Sequence, residues 1–248
     1  GGAIGIFVSF RANSAYDRWW EGRKLWGRLI NTSRMFGTQA VTYVRRKDQE
    51  LGERMVRRQI AYVHLLRQLL RQLDPWTDDD LMAYLTDAEK ERLPKESNPT
   101  HALLQQHLDD AQLAFDKGYI DSLQLRSFDE SVKHLLDIQG GCERIKKTPL
   151  PRGYGFIAER LILYFSILLP LGLTHQAGVI AVPLSVLAST AFMLINEAGR
   201  VLEDPFNMFF NGLPLQAMCT TIERNLLQRI EVDDIPAGKV PDHRGILM

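Results

Sequence analysis

LILYFSILLPLGLTHQAGVIAVPLSVLASTAFMLIN, residues 161–196, contains no Asp, Glu, Lys or Arg. One membrane crossing needs ~20 apolar residues, so this run is long enough for two. Its middle, Pro170-Leu171-Gly172-Leu173-Thr174-His175-Gln176-Ala177-Gly178, is rich in breakers and reads as a turn. The pattern therefore predicts one membrane helix at roughly 153–173 and a second at roughly 178–197. Arg144, Lys146, Lys147 and Arg152 precede the hairpin while its turn carries no charge, so the turn is expected outside. A buried helical hairpin in a soluble protein is the alternative.

The surrounding chain is balanced in charge. With 248 residues it has room for one large domain or two small ones. Hydrophobic residues make up 45% and charged residues 24%, an ordinary globular composition that argues against disorder. Lys+Arg and Asp+Glu both number 30, so no global field draws in nucleic acid. The distribution is uneven, with 14 basic and 6 acidic residues in 1–75 against 9 and 15 in 76–150. Two cysteines, Cys142 and Cys219, form no CxxC motif, which fits a reducing cytoplasmic side better than a disulfide scaffold or a zinc ribbon. The chain opens inside an apolar run, Gly1 to Phe10, without the features of a signal peptide, and a segment upstream of Gly1 is expected.

Outside the hairpin the sequence reads as helix. Residues 11–49 hold few breakers, and residues 51–73 place Val56, Ile60, Val63, Leu66 and Leu70 on one face. Arg57, Arg58, Arg67 and Arg71 are interspersed, which reads as a solvated bundle face or a face toward anionic headgroups. A helix is expected from near Asp78 to Pro94, with others near 101–116 and 120–139. Gly140-Gly141 and Thr148-Pro149-Leu150-Pro151 read as stops, and no strand alternation or repeat is visible.

No catalytic or metal constellation emerges. HExxH, GxSxG, GxGxxG and GxxxxGK[ST] are absent, the six histidines are scattered, and no Glu-x-x-His pair occurs. Asp78-Asp79-Asp80 sits at an expected helix start, where carboxylates favour the macrodipole, so capping explains it better than cation binding. Neither an enzyme nor a cofactor is expected.

Residues 10–27, FRANSAYDRWWEGRKLWG, resemble the segment that follows the pore-lining part of the second membrane helix in bacterial bestrophins. Asn13, Tyr16, Asp17, Arg18, Trp19 and Trp20 carry that likeness. Three further stretches agree in order: Glu143 and Arg144 with Thr148–Pro151, then Glu203-Asp204-Pro205-Phe206, then Leu213–Leu215 with Thr221–Glu223 and Leu226-Leu227. The resemblance implies an all-α chain that assembles as a homopentameric ion channel in the bacterial inner membrane, with most of its mass cytoplasmic. Four membrane helices per subunit are implied, and this chain would lack the first. The expected division is residues 1–20 as the end of the pore-lining helix, 21–150 as a cytoplasmic helical region, 151–200 as the membrane hairpin and 201–248 as a cytoplasmic C-terminal segment.

The resemblance also implies a hydrophobic neck and a cytoplasmic aperture. In the register of Phe10-Arg11 and Arg18-Trp19-Trp20 the neck rings fall on Gly2, Ile6 and Phe10, and the four-residue spacing lets a helix aim all three at one axis. Gly2 departs from the bulky apolar residue expected there. Counted back from Cys142 and Pro151, the aperture falls on Leu123. Animal relatives carry an acidic calcium clasp after Asn-Pro-Phe-Gly. Asn207–Gly212 holds no carboxylate here, so calcium gating is not expected. Two classes of function stay open: a channel for monovalent anions or cations, and a membrane-anchored scaffold that binds partners without conducting.

Overall fold

The structure, a computed structural model, describes residues 2–243 and Leu247; it is helical, with no strand among the described residues. Among the described residues nine α-helices follow in order: α1 Gly2–Gln39, α2 Gln49–Arg71, α3 Asp79–Met82, α4 Asp87–Arg92, α5 Pro99–Asp116, α6 Ser122–Lys147, α7 Arg152–Ala177, α8 Ala181–Leu202 and α9 Leu215–Arg229. The chain divides into two compact units. One joins the residues through Arg23 to Ile145–Pro205, and the other joins Lys24–Arg144 to the chain from Phe206 onward.

In the first unit α7 and α8 pack side by side, with Phe165 and Phe192 edge to face at 5.5 Å. Ile4 and Val8 of α1 lie against Ala158 and Ile162 of α7, and Leu161, Phe165 and Phe192 close the cluster. The opposite surfaces are apolar and bare, with Leu171 72% and Leu187 70% exposed. Gly155–Leu202 is long and apolar enough to cross a membrane by length and composition. The reversal lies later than the sequence predicts. Pro170 is inside α7, which continues through His175 to Ala177, and the chain turns at Gly178–Ile180. A proline removes one backbone N–H and crowds the turn before it, and a membrane helix tolerates this where neighbouring groups or local backbone adjustment re-satisfy the freed carbonyl. Gly178 supplies the break with φ +50°, a conformation open to glycine.

In the second unit α2 is central and buried on most of its circumference, packed against α3, α5 and α9. Asp48 caps it by accepting from the Leu51 N–H at 3.0 Å. Its arginines correct the sequence reading. Arg58 is buried, donating to Glu89 at 2.7 Å and to Asp110, and Arg67 is buried against Asp78. They tie α2 to the segments around it, and only Arg57 fits a solvated face. Asp78 is the N-terminal boundary residue of α3 but makes no capping bond, because its carboxylate is taken by Arg67. The helix expected over 78–94 is two short ones, α3 and α4, the latter opened by a Thr86–Glu89 capping box. Gly140-Gly141 does not stop α6, which runs on to Lys147. Gly141 instead lets α6 approach α1, since a Cβ there would meet Leu25 at 3.0 Å.

Candidate functional site

Helical spacing on α1 divides its first two dozen residues into two faces. Ile4, Val8 and Ala15 are buried, with Ile4 6% and Val8 1% exposed. Gly2, Ile6, Phe10, Asn13, Asp17 and Trp20 are all exposed, Ile6 by 58% and Phe10 by 65%. Their spacing of four, four, three, four and three keeps the six on one stripe of a helix with 3.6 residues per turn. The stripe is apolar as far as Phe10, polar at Asn13 and Asp17, and ends on the aromatic Trp20. Gly2, Ile6 and Phe10 thus share a face, and Asn13 and Asp17 extend it, a continuation the sequence reading leaves unused. Leu123 lies in the other unit, 76% exposed in the first turn of α6, where Asp121 and Gln124 cap each other's backbone N–H groups at 2.8 and 3.0 Å.

Arg11 follows Phe10 but points away from the stripe. Its side chain is nearly buried, with Nε donating to Glu203 Oε1 at 2.8 Å and Nη1 to Asn196 Oδ1 at 2.9 Å, and Glu159 lies 3.6 Å from Nη1. Two glycines make room. A Cβ at Gly155 would sit 3.1 Å from Arg11 Cζ, and one at Gly199 would sit 3.3 Å from the Ala12 Cα. Helix α1 is thereby locked to α7 and α8 by a guanidinium whose charge is matched inside the unit. Spacing along its own helix offers Arg11 no acid three or four residues away. The true partners lie 185 and 192 residues away, beyond any local pattern.

The remaining motif residues brace this arrangement. Arg18 Nη1 donates to the Thr148 carbonyl at 2.6 Å, and Lys146 Nζ pairs with Asp204 at 2.6 Å, tying the lead into the hairpin at both ends. Tyr16, Trp19 and Trp20 stack in series with centroids 6.3 Å apart. Glu143 accepts from Gln139 Nε2 at 2.7 Å, Arg144 is exposed, and Pro205 and Phe206 are buried. A cleft of about 820 Å³ opens beside the stripe, walled by Ile6, Phe7, Phe10 and Phe156, with Arg11, Glu159 and Glu203 at its polar end. Among the described residues no group of three or more His, Cys, Asp or Glu is placed to hold a metal ion.

The family model described as Bacterial/Fungal Bestrophin protein matches residues 1–228. The chain is a bestrophin. It is 34% identical over 244 residues to the voltage-dependent anion channel-forming protein YneE of Salmonella typhi, covering 98% of this chain and 79% of that protein. It is also 34% identical to the voltage-dependent anion channel-forming protein RSc3414 of Ralstonia nicotianae, covering 96% and 78%. Among solved structures, a bacterial bestrophin homologue from Klebsiella pneumoniae superposes with a TM-score of 0.88 at 31% identity, covering 94% of this chain and 85% of that one. This bestrophin is therefore all-helical in the manner of its relatives, as the resemblance implied.

Proposed function

We propose that this bestrophin is a subunit of a homopentameric channel in the bacterial inner membrane, conducting small monovalent anions. The relatives named as anion channel-forming proteins support the ion class, and the apolar stretch Gly155–Leu202 supports membrane residence. Residues 151–200 form the membrane hairpin, and the bulk of the chain is cytoplasmic. The stripe on α1 carries the reading: Ile6 and Phe10 are bare on a helix whose other face is packed, as an element facing a shared axis requires. Five copies of Gly2, Ile6 and Phe10 make a neck without fixed charge, from which water can retreat, and its rewetting is the gate. Leu123 forms a second constriction, the cytoplasmic aperture. Nothing in this scheme calls for a chemical reaction or a cofactor.

Asp17, exposed on the same stripe as Phe10, favours a second reading in which monovalent cations pass. Planar-bilayer currents from the full-length protein, with reversal potentials in asymmetric salts, separate the two by sign. Mass measurement in detergent accompanies them. A pentamer with an anion-selective reversal potential is the expected result. A monomer or dimer would remove the neck and the aperture together, and a pentamer without currents would leave a membrane-anchored scaffold.

A further inference from the structure

In the unit formed by Lys24–Arg144 and the chain after Phe206, α1 and α9 cross where Gly37 meets Leu226. A Cβ on Gly37 would meet the end of the Leu226 side chain, so glycine there lets that side chain lie against α1. The crossing brings Arg34 and Thr38 of α1 beside Asn225 and Arg229 of α9, and a cleft of about 610 Å³ opens there over Leu226. Thr42 completes its rim, and among the described residues no carboxylate lines it. The chain departs from α geometry at this place, with Ala40–Arg45 forming a π-helical turn. Such turns carry an extra residue, re-aim the side chains they hold and recur at functional sites.

The donors are arranged for an anion. Arg34 Nε donates to Asn225 Oδ1 at 2.8 Å, which steadies the guanidinium and leaves its Nη groups and the Asn225 amide N–H groups available. The Thr38 hydroxyl is committed to the Arg34 carbonyl at 2.9 Å, whereas Arg229 makes no ion pair with a described residue. Arg45, on the same π-helical turn, is matched by Glu53 and Glu231, both at 3.3 Å. Two guanidiniums without an acid thus face one cleft, flanked by a hydroxyl and an amide. The guanidinium fork fits phosphate oxygens two at a time.

We propose that this cleft binds the phosphate group of a small phosphomonoester, held by Arg34 and Arg229 with Thr42 and the Asn225 amide completing the contacts. The cleft is larger than a bare phosphate needs and lies within the ~300–1,000 Å³ usual for small-molecule sites. The site is independent of ion conduction and would survive a failure of the channel reading.

Calorimetric titration of the full-length protein in detergent, in chloride buffer at constant ionic strength, tests it with two probes, inorganic phosphate and glycerol phosphate. Saturable binding at one site per chain is expected, tighter for glycerol phosphate; equal affinities would support the site with free phosphate as its source. Arg34→Gln and Arg229→Gln should each weaken binding roughly tenfold or more. Thr42→Val, which keeps both charges, should weaken it by a smaller factor and serves where the charge variants fail to fold. Absence of saturable binding for both probes, or undiminished binding in the folded double variant Arg34→Gln/Arg229→Gln, would overturn the proposal.

Discussion

Alanine at Ile6 and Phe10 tests one face of α1, and alanine at Ile4 and Val8 tests the other, in the same helix and within two turns. Ile4 and Val8 are 6% and 1% exposed, so truncation opens a cavity against Ala158 and Ile162. Ile4→Ala should cost ~2–4 kcal/mol of stability and Val8→Ala somewhat less. Ile6 and Phe10 are 58% and 65% exposed and so bury less than half of their surface within the chain. Full burial of such a side chain contributes ~1.5–3 kcal/mol, which bounds their loss at about 1 kcal/mol each. Their effect should fall on permeation instead. In the proposed ring each substitution acts in every subunit, and a change of only ~1 kcal/mol in the barrier alters a rate roughly fivefold. Single-channel recordings of Ile6→Ala/Phe10→Ala should show raised conductance or open probability, with thermal unfolding and oligomer size close to those of the parent. Ile4→Ala/Val8→Ala should unfold at a lower temperature. Unchanged currents in a double neck variant that expresses and assembles normally would refute the neck. They would place Ile6 and Phe10 against lipid or another surface.

The arginines of α2 give a second contrast. Arg58→Met leaves the buried Glu89 without a cation and Asp110 with Arg54 alone, and should cost ~3–5 kcal/mol, whereas the more exposed Arg54, whose loss leaves Asp110 paired with Arg58, should lose about 1 kcal/mol or less on Arg54→Met. Equal losses in thermal unfolding would contradict the network. His107 is fully buried beside Phe36, neither ring nitrogen has a partner, and burial, reinforced by Arg58, holds its pKa well below 6.5. The unfolded chain takes up that proton first, so stability is complete above ~6.5 and falls as pH drops below it, by at most ~1.4 kcal/mol per pH unit. Unfolding scans between about pH 7 and about pH 5 should show a shallower acid slope in His107→Leu, and an identical slope would exclude His107 as the source. For topology, Val179 is 90% exposed at the reversal while the native Cys142 and Cys219 are buried, so cysteines placed at Val179 and at Lys147 report cleanly. An impermeant thiol reagent on intact cells should label Val179→Cys alone; the opposite pattern would invert the hairpin, and labelling of both would dissolve it.

Residues 161–196 announced the paired helices because absence of charge is a property of the sequence itself, independent of what the segment packs against. The apolar stripe was legible for a similar reason, since four-residue spacing fixes direction on a helix once the register is known. Pro170 and Gly140-Gly141 misled because a breaker has two meanings that composition cannot separate. One is a stop, and the other is room for a neighbour, as Leu25 beside Gly141 demonstrates. The α2 arginines looked solvated because their partners, Glu89 and Asp110, lie 31 and 52 residues further along the chain from Arg58. Ion pairs that join distant elements leave no periodic trace.

The change of character along the α1 stripe has an electrical consequence. Phe10 and Asp17 are seven positions apart, which is ~10 Å along the axis, more than a Debye length of ~8 Å at physiological salt. The one basic residue between them and nearest to Phe10, Arg11, is turned inward and neutralised by Glu203. In the proposed pentamer, five such faces around an axis would make a conduit without fixed charge at one mouth and ringed by carboxylates at the other. An ion arriving from the Asp17 side meets the fixed charge before it sheds water, and one arriving from the Ile6 side sheds water first. The two directions are not mirror images, and equal and opposite voltages should drive unequal currents. If the proposed neck is correct, the stripe read end to end rectifies.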